Sequence, residues 1–126
     1  MNGNGNGNGN GKPFEIWLEE GNILCVSLIG FVDNQSALEL EQSVDSMIKR
    51  IPDLEHILIW MKETKILSSR AITLIVNLQK RDDIIFFEVP QSVLDRIPNK
   101  KLCDDLKGKE MIASSFKELL DKIQGH

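Results

Sequence analysis

A short apolar run from His56 to Met61 constrains the fold of this 126-residue chain more than any other stretch. It is rich in β-branched side chains and bounded by polar residues, so it predicts a strand that is buried on both faces of a sheet. A short connection leads from it to Ser68 and Ser69, and an apolar stripe with helical spacing follows. The sequence therefore predicts two serine hydroxyls at a helix N-terminus, beside the end of a core strand.

A helix N-terminus of this kind favours a negative charge. Its first backbone N–H groups have no partner within the helix, and the helix dipole is positive there. One interpretation is that Ser68 or Ser69 is simply the N-cap of the helix, which is a common role for serine. The other is that one of them accepts a phosphate, to which Arg70 is close enough in sequence to donate a charge-assisted hydrogen bond. Local sequence leaves both open.

Strand and helix patterns alternate along the chain, which predicts an α/β fold. We expect a single-layer mixed β-sheet of 4–5 strands packed against about four α-helices. The predicted strands are 14–19, 23–29, 56–61, 84–89 and 110–113. The predicted helices begin near residues 36, 69, 93 and 116, with one further helical turn near residue 102.

Several residues mark where these elements begin, turn or bend. Gly21-Asn22 reads as the turn of a hairpin between the first two strands, so the sheet is not purely parallel. Gly30 interrupts the second strand and predicts a bulge or a close backbone approach. The segment 33–36, Asp-Asn-Gln-Ser, offers several N-caps for the first helix. Ser36 and Glu39 have the spacing of a capping box, as do Ser115 and Glu118.

The first twelve residues differ in composition from the rest of the chain. They contain repeated Asn-Gly pairs and nothing that forms a core, so we expect residues 1–12 to be a disordered tail. Residues 13–126 are then expected to form a single domain, since the length and a hydrophobic fraction of 41% suit one ordinary core.

Charge and composition argue against several classes of protein. The net charge is −4 and the basic residues are scattered, so we expect no nucleic-acid partner. No apolar run reaches the ~18 residues of a membrane span, and the N-terminus does not resemble a signal peptide. We therefore expect a cytoplasmic protein with no membrane insertion. Cys25 and Cys103 are expected to be small core residues rather than a disulfide.

The sequence offers no arrangement of residues typical of an enzyme. His126 ends the chain, and a structural or surface role is expected for His56 at the start of a strand. No Cys/His spacing fits a metal site, and neither a phosphate-binding loop nor a nucleophile elbow is found. We expect no catalytic residue, no metal and no cofactor.

The order of elements resembles that of STAS domains, the fold of bacterial anti-sigma factor antagonists, over about residues 14–123. The segment 28–33, Leu-Ile-Gly-Phe-Val-Asp, resembles the family's Leu-Thr-Gly-x-Leu-Asp before its first helix. The segment 54–67 resembles the strand and connection that precede the family's Asp-Ser-Ser-Gly signature. That signature falls on Ser68, Ser69, Arg70 and Ala71, so the acceptor hydroxyl is kept while the Asp and Gly positions differ.

The resemblance implies a function in signal transduction and transcription regulation. It places the phosphoacceptor at Ser69, with Ser68 beside it, and implies a protein partner that is both a serine kinase and an anti-sigma factor. Phosphorylation would weaken docking of that partner. The implied partner-binding residues are Arg70, Ala71 and Ile72 at the start of the second helix, and Phe31, Asp33 and Asn34 in the loop before the first helix.

An alternative within the same fold is a constitutive adaptor. STAS domains also occur as scaffold subunits of signalling complexes and of ATP-binding-cassette (ABC) lipid transporters, and a changed phosphoacceptor signature suits such a role. The oligomeric state is left open by the sequence. Trp60 is expected in the core, because it lies in the strand that is buried on both faces.

Overall fold

The computed structural model describes residues 12–125, and its five strands form one mixed sheet in the order β1-β2-β3-β4-β5. β1 is antiparallel to β2, and the remaining neighbours are parallel. The strands are β1 (Phe14–Glu19), β2 (Ile23–Val32), β3 (His56–Leu67), β4 (Ile84–Phe87) and β5 (Glu110–Met111). The helices are α1 (Asn34–Arg50), α2 (Ser69–Leu78), α3 (Gln91–Leu94), α4 (Lys100–Gly108) and α5 (Phe116–Ile123). This confirms the predicted α/β fold class. The predicted tail, apart from Lys12, lies outside the described residues.

Both faces of the sheet are covered. Side chains alternate along a strand, so Leu24 and Val26 of β2 join the apolar cluster formed with α1 to α4. Cys25, between them, points to the opposite face and joins a second cluster that includes Leu119 of α5. The arrangement has three layers, in which α1 to α4 cover one face and α5 covers part of the other.

Two glycines take the backbone conformations that their predicted roles require. Gly21 has a φ of +90° and Asn22 a φ of +59°, which turns β1 back into β2. Gly30 has a φ of +67°, and the pairing of β2 with β3 shifts register next to it, so the predicted irregularity is confirmed. A Cβ added at Gly30 would meet no atom within 4 Å, so the backbone angle, rather than lack of space, explains glycine there.

β3 is longer than predicted, and β4 is shorter. The expected connection from Lys62 to Leu67 is strand, paired with the end of β2. Residues 62–65 are polar, so this segment carries no apolar strand pattern. Its pairing with β2, rather than burial of side chains, holds it in the sheet. β4 ends at Phe87 instead of residue 89, because Glu88 adopts a left-handed φ of +55° and turns the chain away from the sheet.

The helix caps follow the predicted chemistry, but not always at the predicted residue. Asp33, rather than Ser36, is the N-cap of α1, and its carboxylate accepts a hydrogen bond from the Ser36 N–H at 2.7 Å. Ser115 is the N-cap of α5, as its spacing predicts. Glu118, however, accepts hydrogen bonds from the N–H and hydroxyl of Ser114 instead of completing a capping box.

We predict that the packing of α5 on the sheet can be measured through Leu119, which is fully buried. Replacing it with Ala should lower the free energy of unfolding by about 2–5 kcal/mol, the usual cost of a large-to-small core substitution. Urea unfolding followed by tryptophan fluorescence measures this change. Trp17 and Trp60 both have ring contacts with Phe116 of α5, so they report on this helix.

The exposed Lys117 on the same helix provides the control. Lys117→Ala should change the free energy of unfolding by no more than about 0.5 kcal/mol. Equal unfolding midpoints for Leu119→Ala and Lys117→Ala would mean that α5 does not contribute to the core.

Candidate functional site at the start of the second helix

Ser68 joins β2, β3 and α2 at one point. Its backbone N–H donates to the Val32 carbonyl oxygen at 2.9 Å, which ties the end of β3 to the end of β2. Its Oγ accepts a hydrogen bond from the Ala71 N–H at 3.2 Å, so Ser68 is the N-cap of α2. The hydroxyl of Ser68 is therefore used in the fold.

Ser69 is the first residue of α2, and its side chain is exposed. Its hydroxyl makes no hydrogen bond with any group among residues 12–125, while its carbonyl oxygen accepts one from Thr73 Oγ1 at 3.0 Å. Of the two serines, Ser69 is thus the one whose hydroxyl is available to a modifying enzyme. Within the described chain, no carboxylate or imidazole is hydrogen-bonded to this hydroxyl.

Arg70 links the start of α2 to α1. Its backbone N–H donates to Asn34 Oδ1 at 3.3 Å, and its Nη2 lies 3.5 Å from Glu41 Oε1. Both side chains of this ion pair are well exposed, at 49% and 39%, so the pair contributes little stability and can exchange partners. A groove of about 490 Å³ lies between the two helices, and Ser69 and Arg70 line one wall of it.

Phe31 and Ile66 form an exposed apolar pair next to the serines. They are register partners on β2 and β3, and each is 57% exposed. Phe31 is one of the residues predicted to bind a partner, whereas Ile66 is not, because the segment containing Ile66 was interpreted as a connection. Extending β3 to Leu67 would have identified Ile66, since it then lies directly opposite Phe31.

The residues predicted to bind a partner divide into two groups. Phe31, Asp33, Asn34 and Arg70 are exposed and lie at the same end of the sheet as Ser69. Ala71 and Ile72 are buried, at 3% and 7% exposed, because they belong to the apolar stripe that packs α2 onto the sheet. Their side chains are therefore core residues and cannot contact a partner.

Among the described residues, Cys25 and His56 are two nucleophilic or titratable side chains that remain to be placed relative to Ser69. Burial raises the pKa of the Cys25 thiol to about 12, so it stays protonated and unreactive at neutral pH. His56 lies at the start of β3, while Ser69 follows its end. Among residues 12–125 no group of three or more His, Cys, Asp or Glu side chains is placed to hold a metal ion. In the same range, no helix combines the length and hydropathy needed to cross a membrane.

Comparison with known proteins identifies the fold. No family model and no curated protein matches the sequence. The structure of the anti-sigma factor antagonist SpoIIAA in its unphosphorylated form matches with a TM-score of 0.67, at 13% identity, covering 90% of this chain and 99% of SpoIIAA. The Bacillus cell fate determinant SpoIIAA in the phosphorylated form matches with a TM-score of 0.72, at 12% identity, covering 87% and 98%.

The chain has the fold of SpoIIAA. The STAS-type fold expected from the sequence is therefore confirmed, and it extends over almost the whole length of SpoIIAA. At such low identity the likeness is one of fold, and the site residues rest on the geometry described above.

We predict that the two serines differ in their effect on stability. Ser68→Ala removes the N-cap of α2 and should lower the free energy of unfolding by about 1 kcal/mol. Ser69→Ala removes no hydrogen bond of the described chain and should change it by no more than about 0.5 kcal/mol. Urea unfolding of both variants measures the difference. The reverse order would mean that Ser69 is the N-cap.

We predict a pH dependence at the N-cap of α1. The hydrogen bond from the Ser36 N–H holds the pKa of the Asp33 carboxyl below its ordinary value of 3.8. A lowered pKa means that the carboxylate stabilises the fold above the ordinary value, and that this contribution is lost as the pH falls through the folded-state pKa. Carbon-13 NMR titration of Asp33 measures that pKa directly.

Asp33→Asn is the matched control, since it keeps an oxygen that can cap the helix but does not titrate. The stability difference between the wild type and Asp33→Asn should change only below the ordinary carboxyl pKa. A titration at or above the ordinary value would contradict the proposed cap.

Proposed function

We propose that this protein is a regulatory protein-binding module of the anti-sigma factor antagonist kind, which docks a protein partner at the start of α2. The observation that carries this proposal is the exposed Ser69 hydroxyl, which has no hydrogen-bond partner within the described chain, at a helix N-terminus. The SpoIIAA fold supports it, because that antagonist has been solved in unphosphorylated and phosphorylated forms.

The proposed docking surface comprises Phe31, Asn34, Ile66, Ser69 and Arg70. It has an apolar centre, the Phe31–Ile66 pair, which is unusually exposed for side chains of this size. Asn34, Ser69 and Arg70 are exposed at the same end of the sheet, where the Arg70 N–H donates to Asn34 Oδ1. Aromatic and arginine side chains supply a large share of the binding energy in many protein interfaces, so Phe31 and Arg70 are the expected main contacts.

A phosphate on Ser69 would change this surface in two ways. It adds a charge of about −1.5 to −2, which the N-terminus of α2 stabilises. It also offers Arg70 a stronger partner than the exposed carboxylate of Glu41, so the guanidinium is drawn away from its position in the docking surface. Both changes weaken binding to a partner that fits the unmodified surface. The partner proposed is a serine kinase that also acts as an anti-sigma factor.

We predict that charge at Ser69 controls affinity. Ser69→Ala should bind the partner as tightly as the unmodified protein, and Ser69→Asp should bind at least about tenfold more weakly, equivalent to roughly 1.4 kcal/mol. Proteins from the source cells that are retained by Ser69→Ala and lost by Ser69→Asp identify the partner. Titration calorimetry with that partner then gives the affinities.

Ser46→Asp is the matched control, because Ser46 is an exposed serine on α1 outside the docking surface. It should bind like the wild type. Equal affinities for Ser69→Ala and Ser69→Asp would refute the switch. A loss of binding in Phe31→Ala alone would still show that the surface docks a partner.

Mass spectrometry of the protein from its own cells tests the modification itself. Trypsin releases residues 66–70, Ile-Leu-Ser-Ser-Arg, as one peptide that contains both candidate serines. Fragment ions should place a phosphate on Ser69, since the Ser68 hydroxyl is engaged in the cap. An unmodified peptide under all growth conditions would count against regulated phosphorylation.

A second candidate function is that of a constitutive adaptor in a signalling complex or an ABC lipid transporter. It is favoured by the sequence at the acceptor site, where Ser68 and Ala71 replace the Asp and Gly of the family signature. Ala71 is buried, so the change from Gly to Ala affects the packing of α2 and not its exposed surface. Copurification with a transporter ATPase would support the adaptor, and copurification with a small kinase-like protein would support the antagonist.

A further inference from the structure

β3 extends well beyond the strand that covers its outer edge. β4 pairs with β3 only from Ile57 to Trp60, whereas β3 continues to Leu67. Over this extension β3 is hydrogen-bonded to β2 along one edge. Along the other edge, no strand among residues 12–125 pairs with it. α3 lies beside the end of β3 there, and Arg96 Nη1 donates to the Leu67 carbonyl oxygen at 2.6 Å.

The gap beside β3 is fixed by specific contacts. Glu88, with its left-handed φ of +55°, directs the chain out of the sheet just after β4. Its carboxylate accepts a hydrogen bond from Trp60 Nε1 at 2.8 Å, and the next residue, Val89, donates its N–H to Glu110 Oε2 at 3.0 Å. The first bond ties Glu88 to Trp60 of β3, and the second ties Val89 to Glu110 of β5, so together they fix the point at which the chain leaves the sheet after β4.

An apolar groove runs along this free edge. It has a volume of about 210 Å³ and lies between the end of β3 and α3, with Leu67 and Val93 in its floor and Ile66 at its rim. In strand addition, an extended peptide forms main-chain hydrogen bonds with an unpaired sheet edge, and every second side chain of the peptide fits a pocket beside that edge. An extended peptide placed here would gain main-chain hydrogen bonds and contact Ile66.

The positive charges along this edge favour an acidic binding partner. Lys62 and Lys65 are exposed and form no ion pair with the described residues, and Arg96 lies across the groove. Lysines on a free edge prevent indiscriminate strand pairing, and a second copy of this edge would place lysine against lysine. An acidic strand instead meets complementary charge. Glu63 is the one acidic residue of the overhang between Met61 and Leu67.

We propose that the overhang of β3, residues 61–67, binds an extended segment of a partner protein in which acidic and apolar residues alternate. The segment adds a strand at the free edge, with its acidic side chains near Lys62 and Lys65 and its apolar side chains at the groove. This inference goes beyond the proposed function and does not require Ser69, because neither Ser68 nor Ser69 lies on the edge or lines the groove.

The test uses the whole chain and two synthetic peptides, acetyl-Glu-Val-Glu-Val-Glu-Val-amide and its counterpart with Lys in place of Glu. The Glu peptide should shift and protect backbone amides between Lys62 and Leu67 in nitrogen-15 NMR spectra, and the Lys peptide should not. The double variant Lys62→Glu/Lys65→Glu should weaken the Glu peptide by about tenfold, since attraction becomes repulsion at two exposed positions. It should also gain affinity for the Lys peptide.

The control Lys80→Glu/Lys117→Glu changes the net charge equally at two exposed lysines outside the overhang. It should leave the affinity for the Glu peptide within about twofold of wild type. Equal weakening in both double variants, or shifts centred outside residues 61–67, would overturn the proposal, since either result indicates non-specific attraction or another site.

Backbone methylation tests strand addition separately from charge. In an added strand, the N–H groups of alternate residues face β3. Glu-Val peptides methylated on the nitrogens of either all Glu or all Val residues should therefore differ, with one pattern abolishing binding and the other leaving it measurable. The same affinity for both patterns would overturn the proposal even if the charge dependence held.

Discussion

The parallel pairing of β2 with β3 is the interaction on which the rest of the structure depends. Both strands are buried in the centre of the sheet, and their ends lie opposite each other, with Val32 paired to Leu67. Because they end together, the helices that follow begin side by side. Asp33 starts α1, Ser68 starts α2, and the bond from Ser68 N–H to the Val32 carbonyl oxygen fixes their separation. The candidate site is a direct result of this alignment.

The same pairing explains why this end of the sheet is left exposed. β1 and β4 cover only the earlier parts of β2 and β3, so the two central strands project as a ribbon beyond the rest of the sheet. α5 covers the opposite face near Trp60, which stacks on Phe116 with ring centroids 4.5 Å apart. Phe31 and Ile66 lie further along the ribbon and stay exposed. Large apolar side chains that are exposed next to each other often mark an interaction site.

Two distinct surfaces result from this arrangement. One is the start of α2, where the exposed Ser69 lies beside Arg70, whose guanidinium is paired with Glu41. The other is the free edge of β3, where only the Leu67 carbonyl oxygen is bonded, to Arg96, and where Lys62 and Lys65 form no ion pair within the described chain. They share Ile66 as a neighbour, which lies both beside Phe31 and at the rim of the groove. A partner that occupies both would combine a contact that depends on the state of Ser69 with one that does not involve Ser69.

The sequence by itself determined the element order, the mixed sheet and the likeness to STAS domains, because apolar periodicity, turn glycines and cap residues are local signals. It also predicted a site at Ser68 and Ser69. The tertiary structure decided which serine caps α2 and which is free, and it showed Ala71 and Ile72 to be core residues. Only the folded sheet revealed the extension of β3 and the exposure of Ile66. That extension is held by backbone hydrogen bonds to β2, a distant partner whose contribution leaves no pattern in the side chains of Lys62 to Lys65.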